Sequence, residues 1–356
     1  MKRLFVLMLA LCLMLCACGK EPEETTEPTT EATTEATTEA TTEATEPTET
    51  EPEATEPMNL LSGEPLDEAN YDRAYAIMIN NHSHALPHCG VGAAEVIYET
   101  LVEGGMTRFM AIFTDPSQAG PIGPVRSCRP PYVSLVQAYD AIYSSAGGDG
   151  SVIAVIEAAN WDFINGLNSS YFYRDQERLK SVALEHTMFV KGEDLETIAA
   201  QKGLRTTRAE DAYYGFTFDD DASYDGESAN KIVLSFQTNG KTTTCNYNEE
   251  LGVYTLYQQK QDYIDGNTGE LVPFENVLIL EGSSHIMENG VHVYMETVGE
   301  GPGYYARDGK IIPITWSRGS ESEPFSYKTA DGADLTVGVG KTYIAIITDG
   351  SPVEYE

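Results

Sequence analysis

The chain has 356 residues, enough for two folded domains of ordinary size. Its 56 acidic residues against 22 Lys and Arg give a formal charge of −34, a field that repels nucleic acid, anionic polymers and anionic bilayers, so nucleic-acid binding by charge is excluded. Apolar residues make up 41%, and the polar excess is concentrated near the N-terminus, which leaves the remainder able to bury normal cores.

Met1-Lys2-Arg3 is a short cationic segment, and Leu4 to Leu15 is an almost unbroken apolar run, too short for a membrane span but the size of a secretory h-region. Residues 1–17 are therefore expected to be a signal peptide. Leu15-Cys16-Ala17-Cys18 resembles the bacterial lipobox, an aliphatic residue and two small ones before an acylated Cys, and assigns the lipid to Cys18. Ordinary secretory cleavage is the alternative. More than one acyl chain on that Cys suffices for stable anchoring.

Residues 18–57 are expected to form a disordered linker. Glu-Ala-Thr-Thr recurs from Glu31 to Thr42 and no large apolar side chain occurs before Met58, so no core can form. From Lys20 to Pro57 there are 13 Glu and one Lys, and repulsion with proline extends such a chain to as much as ~3.1 Å per residue. It reads as a spacer or as solubilising filler, and its Thr density also allows glycosylation.

Residues 58–209 alternate strand and helix signals and are expected to form an N-terminal α/β domain with a mixed or parallel sheet and flanking helices. Ala74 to Ile79 is a short apolar run. Val91 to Val102 has apolar residues at helical spacing and stops at Gly104-Gly105, which predicts a helix. Arg108 to Thr114 and Asp140 to Ser144 read as strands; Tyr132 to Ala138 reads as a helix begun by Pro130-Pro131. Ser151 to Ala159 and Glu193 to Gln201 predict further helices, with Thr187 to Val190 as a strand. Loops after parallel strands emerge at one edge, where α/β sheets bind ligands. Three loops are candidates: Asn80 to His84, Ile122 to Arg129, and Gly147 to Gly150.

Residues 210–229 read as an acidic linker, and 230–356 as a β-rich second domain, making the fold α+β overall. Apolar runs at Ile232–Phe236, Val253–Tyr257, Val277–Leu280, Val291–Met295, Tyr304–Ala306, Ile311–Trp316 and Tyr343–Ile347 predict strands. Asp308-Gly309 predicts a type I′ hairpin turn. Trp316 reads as core packing.

Basic residues divide unevenly. Residues 58–209 hold eight Arg and three Lys, whereas 210–356 hold two Arg and six Lys. Arg suits planar, bidentate recognition of phosphate or carboxylate, so anion recognition is expected in the first domain. Arg126 and Arg129 beside a proline-started helix, with Ser127 as its N-terminal cap, form a candidate clamp to which Arg108 contributes. Buried pairing of these arginines with Glu99, Glu103 or Asp140 is the competing reading. His82, His84 and His88 share a loop, but no HExxH or Cys set accompanies them, and neither a metal nor any other cofactor is expected. Gly147-Gly148-Asp149-Gly150 lacks the Lys-Ser/Thr of a P-loop. Asp219 to Gly226 imitates a calcium loop without its Gly or closing Glu. Cys89, Cys128 and Cys245 are odd in number, which favours free thiols over a disulfide framework.

Tyr98-Glu99-Thr100-Leu101-Val102-Glu103-Gly104-Gly105-Met106-Thr107-Arg108-Phe109, Ile122-Gly123-Pro124-Val125-Arg126-Ser127-Cys128-Arg129-Pro130 and Tyr139-Asp140-Ala141-Ile142-Tyr143 closely resemble segments of the YerB-like lipoproteins of Gram-positive bacteria. Gly301-Pro302-Gly303-Tyr304 and Pro313-Ile314-Thr315-Trp316 resemble that family's second domain. The resemblance covers residues 70 to 348 and implies a two-domain extracytoplasmic lipoprotein. The family pattern of Asp-Asn-His in the first loop is Asn80-Asn81-His82 here, whereas Arg108, Arg126, Arg129 and His186 match it.

The expected protein is thus a lipid-anchored envelope lipoprotein on the extracytoplasmic side of the membrane. It binds an anionic envelope component or protein partner, and no nucleic acid, through Asn81, His82, Arg108, Arg126, Ser127, Arg129 and His186. The rival reading is an enzyme on phosphorylated or lipid-linked wall precursors with His186 or Asp140 transferring protons; a structural assembly factor is a third.

Overall fold

The computed structural model describes residues 57–356; the expected signal peptide, Cys18 and the linker as far as residue 56 lie outside the described residues. Runs rich in Val, Ile, Tyr and Phe build an 11-stranded mixed sheet. At its middle lie β1 (Tyr75–Ile79), β2 (Val96–Leu101) and β3 (Thr107–Phe113), and every residue of the three is buried. On one side β1 pairs in parallel with Ile142–Ser145, which pairs with Phe163–Asn165. On the other, β3 and β2 lead to Thr342–Thr348, then Asn276–Gly282, Gly299–Arg307 and Lys310–Arg318. The fold is α+β, with both halves of the chain contributing strands to one sheet.

β2 corrects the expected helix over Val91 to Val102. Both faces of this strand are covered, so apolar residues run continuously instead of alternating, and a short continuous run carries no period that separates strand from helix. The Gly104-Gly105 signal marks a turn: both have φ +69°, a left-handed conformation open to glycine, and they lead β2 back into β3. Elsewhere the elements lie close to expectation, with α1 at Pro130–Val136, α2 at Gly150–Ala158 and α3 at Gly192–Lys202. Asp308 and Gly309 both take positive φ and join Arg307 to Lys310, the I′ hairpin.

A second, antiparallel sheet contains Val253–Gln258, Thr242–Asn248, Lys231–Ser235 and Val353–Tyr355. It is tied to the first by a buried polar network around Glu99 of β2. The fully buried Glu99 carboxylate accepts from Lys241 Nζ, Tyr343 Oη, Thr107 Oγ1, Asn81 Nδ2 at 2.9 Å and Thr243 Oγ1 at 3.1 Å. Burial lowers the Lys241 ammonium and the Glu99 charge pulls it back up. Residues 210–229 pack on this framework: Tyr214 and Phe216 are buried, Phe218–Asp219 pairs with Val337–Gly338, and Glu227–Ser228 pairs with Lys310–Arg318. Trp316 is core, its Nε1 donating to the Glu281 carbonyl at 2.9 Å.

Candidate functional site

Because β1 and Ile142–Ser145 run parallel, the loops after them emerge at the same sheet edge. Residues 122–129 are threaded between them. Asn80 N donates to the Pro124 carbonyl at 2.9 Å, Arg126 N to the Met78 carbonyl at 2.9 Å, Ala146 N to the Arg126 carbonyl at 3.0 Å, and Cys128 N to the Gly147 carbonyl at 2.9 Å. All three candidate loops therefore meet. Gly123 makes this possible, since a Cβ there would stand 2.7 Å from the Met188 carbonyl at a φ of +153°.

A fourth segment joins them, the single 3₁₀ turn Leu184–His186. Asn80 Nδ2 donates to the Glu185 carbonyl at 3.1 Å and stands 2.8 Å from His186 Nδ1. His82 caps the next turn, its Nδ1 accepting from His84 N at 3.1 Å. The His82 and His186 rings stack at 4.7 Å, and His84 meets them edge-on at 5.0 and 5.8 Å. Arg126 lies at the rim, 27% exposed, with a terminal nitrogen 3.4 Å from Glu185 Oε2, while Glu185 Oε1 is 3.6 Å from His186 Nε2. Arg174 donates to the Leu184 carbonyl at 2.6 Å, and no carboxylate among the described residues lies within ion-pair distance of it. Burial and the neighbouring Arg126 charge lower its guanidinium. Desolvation, then His84, lowers His82; desolvation, then His82, lowers His186. Both imidazoles are therefore neutral bases near pH 7, set beside Arg126, whose one carboxylate partner is Glu185.

The other predicted residues do not line this notch. Arg108, 3% exposed, donates to Glu103 Oε1 at 2.9 Å and to the Ser127 carbonyl. Arg129 grips the same carboxylate, with Nε 2.6 Å from Oε2. Burial alone would raise Glu103; the Arg129 hydrogen bonds and the Arg108 and Arg129 charges hold it down to about 2. The expected three-arginine clamp is thus corrected: two of its guanidiniums are sealed against Glu103, and Arg126 alone faces the notch. Ser127 does not cap α1, whose N-cap is Arg129; its hydroxyl donates to the Ala146 carbonyl at 3.2 Å. Asn81 is buried in the Glu99 network.

His88 leaves the loop it shares in sequence with His82 and His84. It is fully buried, Nε2 donating to the Asn80 carbonyl at 2.7 Å and Nδ1 accepting from Tyr263 Oη at 3.0 Å, and desolvation pushes it down to about 3. His186 takes its place in the cluster. Asp140 lies at the opposite end of the sheet, held by Arg205 and Arg73, and so is not the rival reading's proton donor. Cys89, Cys128 and Cys245 are free thiols. Hollows of about 430 Å³ beside Trp161 and Tyr171 and about 740 Å³ beside Asp265 and Leu271 contain none of the predicted site residues, so charge and not enclosed volume singles out the notch. Sequence reasoning missed Glu185 and Arg174, and left His84 out of the site after weighing it as a metal ligand; only the fold brings residues 174 and 184–186 to the end of β1.

The family model described as "Protein of unknown function (DUF3048) N-terminal domain" matches residues 61–205, and its C-terminal counterpart matches residues 232–344. YerB of Bacillus subtilis, which carries lipoprotein in its name, is 28% identical over 281 residues, 78% of this chain and 82% of YerB. The crystal structure of YerB is similar with a TM-score of 0.73 at 26% identity, covering 83% of this chain and 99% of the solved one. No helix among the described residues is long and apolar enough to cross a membrane.

Proposed function

Because the chain belongs to the DUF3048 family, whose relative YerB is named as a lipoprotein, we propose that it is held at the extracytoplasmic face of the membrane by an acylated Cys18 and binds an anionic envelope component at the notch of His82, Arg126, Arg174 and His186. The observation that carries the ligand reading is the approach of Arg126 and Arg174 around residues 184–186, where Glu185 pairs with Arg126 alone and Arg174, lowered by desolvation and then by the Arg126 charge, has no carboxylate partner among the described residues. An oxyanion or carboxylate placed between them relieves that repulsion and gains charge-assisted hydrogen bonds. The overall charge of −34 argues against a non-specific polyanion site: an anion must be held by local geometry against the long-range field.

The test is calorimetric binding of pyrophosphate and of soluble anionic wall fragments to the full chain. Arg126→Ala should weaken binding about tenfold, roughly 1.4 kcal/mol, with an unchanged melting curve. Binding equal to that of the parent chain would remove the proposal. A second reading, an enzyme on phosphorylated or lipid-linked wall precursors, is favoured by the neutral imidazoles of His82 and His186 beside Arg126; turnover of such a precursor by the full chain would select it.

A further inference from the structure

We propose that His82, His84 and His186 together bind one late first-row divalent cation, zinc by preference. Three imidazoles from segments a hundred residues apart converge so that one nitrogen from each lies within 4.8 Å of the others. A tetrahedral zinc with bonds of about 2.0 Å sets its ligand atoms roughly 3.3 Å apart. Reaching that spacing requires ring rotations in the exposed His84 and the half-exposed His82, while the buried His186 is the fixed member.

Each ring has a route to a free lone pair. A half-turn of the Asn80 carboxamide, which gives up its 3.1 Å bond to the Glu185 carbonyl and requires that carbonyl to shift, presents its oxygen to His186 Nδ1–H, the outer-sphere partner that metal-bound histidines ordinarily have, and frees Nε2. His82 exchanges its bond to the exposed His84 N–H for the metal, and water satisfies that N–H. An imidazole of ordinary basicity is largely unprotonated near neutral pH, the form a metal needs. Glu185 Oε1, 3.6 Å from His186 Nε2, supplies negative charge beside the ion. The donor set of nitrogens with a carboxylate nearby suits zinc better than calcium or magnesium, which take oxygen.

Three protein ligands leave a fourth position open to water or a ligand atom. Arg126, whose charge acts on both His82 and His186, lies beside that cluster, so an anionic group bound there meets both the cation and a guanidinium. This deepens the anion-binding reading by naming how the anion is held, yet the metal set itself does not depend on Arg126.

The experiment uses the full chain in detergent, without an oligohistidine tag and stripped by chelator, titrated with zinc by equilibrium dialysis and with cobalt by visible absorption. One equivalent of zinc per chain is expected, with a tetrahedral cobalt spectrum. His84→Ala and His82→Ala should each weaken uptake at least tenfold, and His285→Ala, a change at an exposed histidine outside the cluster, should leave it unchanged. Because His186→Ala alters a buried residue, circular dichroism and melting are recorded for every variant, and the two exposed positions decide the outcome. Absence of saturable one-equivalent uptake, or uptake unaltered in the His82→Ala, His84→Ala double variant, overturns the inference. Pyrophosphate binding is followed in the same samples. Zinc uptake without pyrophosphate binding removes the anion reading alone; pyrophosphate binding by a chain that takes no zinc removes the metal alone.

Discussion

Glu103 shows why two arginines expected in the notch are unavailable. One carboxylate accepts from both Arg108 and Arg129, and it fastens the β2–β3 turn to residues 127–129. Replacing it by Gln leaves Arg108 buried without its counter-charge, which costs about 3 kcal/mol at neutral pH in comparable buried pairs. The folded carboxyl sits at about 2, below its ordinary 4.5. A depressed carboxyl stabilises the fold above pH 4.5 and loses that contribution as pH falls from 4.5 toward 2. Urea unfolding of Glu103→Gln should therefore show lower stability at pH 7 and a flatter decline between pH 4.5 and 2; a decline as steep as the parent's would contradict this role. The chemical identity of the pairing was readable beforehand, since Glu103 is among the carboxylates weighed as Arg partners. Its choice over an external anion was not, because sequence says nothing of which acid lies within reach.

Among the elements, the loops at the end of β1 were legible and β2 was not. Gly and Pro at 123–124, Pro130-Pro131 and the Gly147–Gly150 run punctuate the chain in ways that depend on local backbone chemistry alone. β2 is buried on both faces by strands and layers far away in sequence, so its neighbours and not its pattern decide its conformation. The same distance hides the cluster: His82 and His84 are visible as a pair, but His186 reaches them only because Val125 N donates to the Met188 carbonyl at 2.7 Å and fixes the 184–188 segment beside the loop. Gly123 sits in that junction. Gly123→Ala should cost more than about 1 kcal/mol, because a Cβ meets the Met188 carbonyl and the φ is left-handed. It should also weaken pyrophosphate binding by displacing Arg126. A melting temperature and binding curve identical to the parent's would show that the junction tolerates the side chain.

At the scale of the whole molecule, the last long strand of the sequence lies in the middle of the sheet. Thr342–Thr348 pairs in parallel with β2 on one side and Asn276–Gly282 on the other, and Tyr343 donates to Glu99. Deleting residues 342–356 removes pairing from both halves together, so the truncated chain should lose its single cooperative unfolding transition; an N-terminal half that still melts cooperatively would contradict that coupling. The notch lies at the end of β1, one residue beyond Asn81 of the Glu99 network, with His82, Arg126, Arg174 and His186 as its working groups. A crystal of the protein soaked in sulfate examines that assignment most directly. Density for an oxyanion between Arg126 and Arg174, beside the stacked His82 and His186 rings, is the predicted result. Sulfate bound at other cationic surfaces with that position left to water would contradict it.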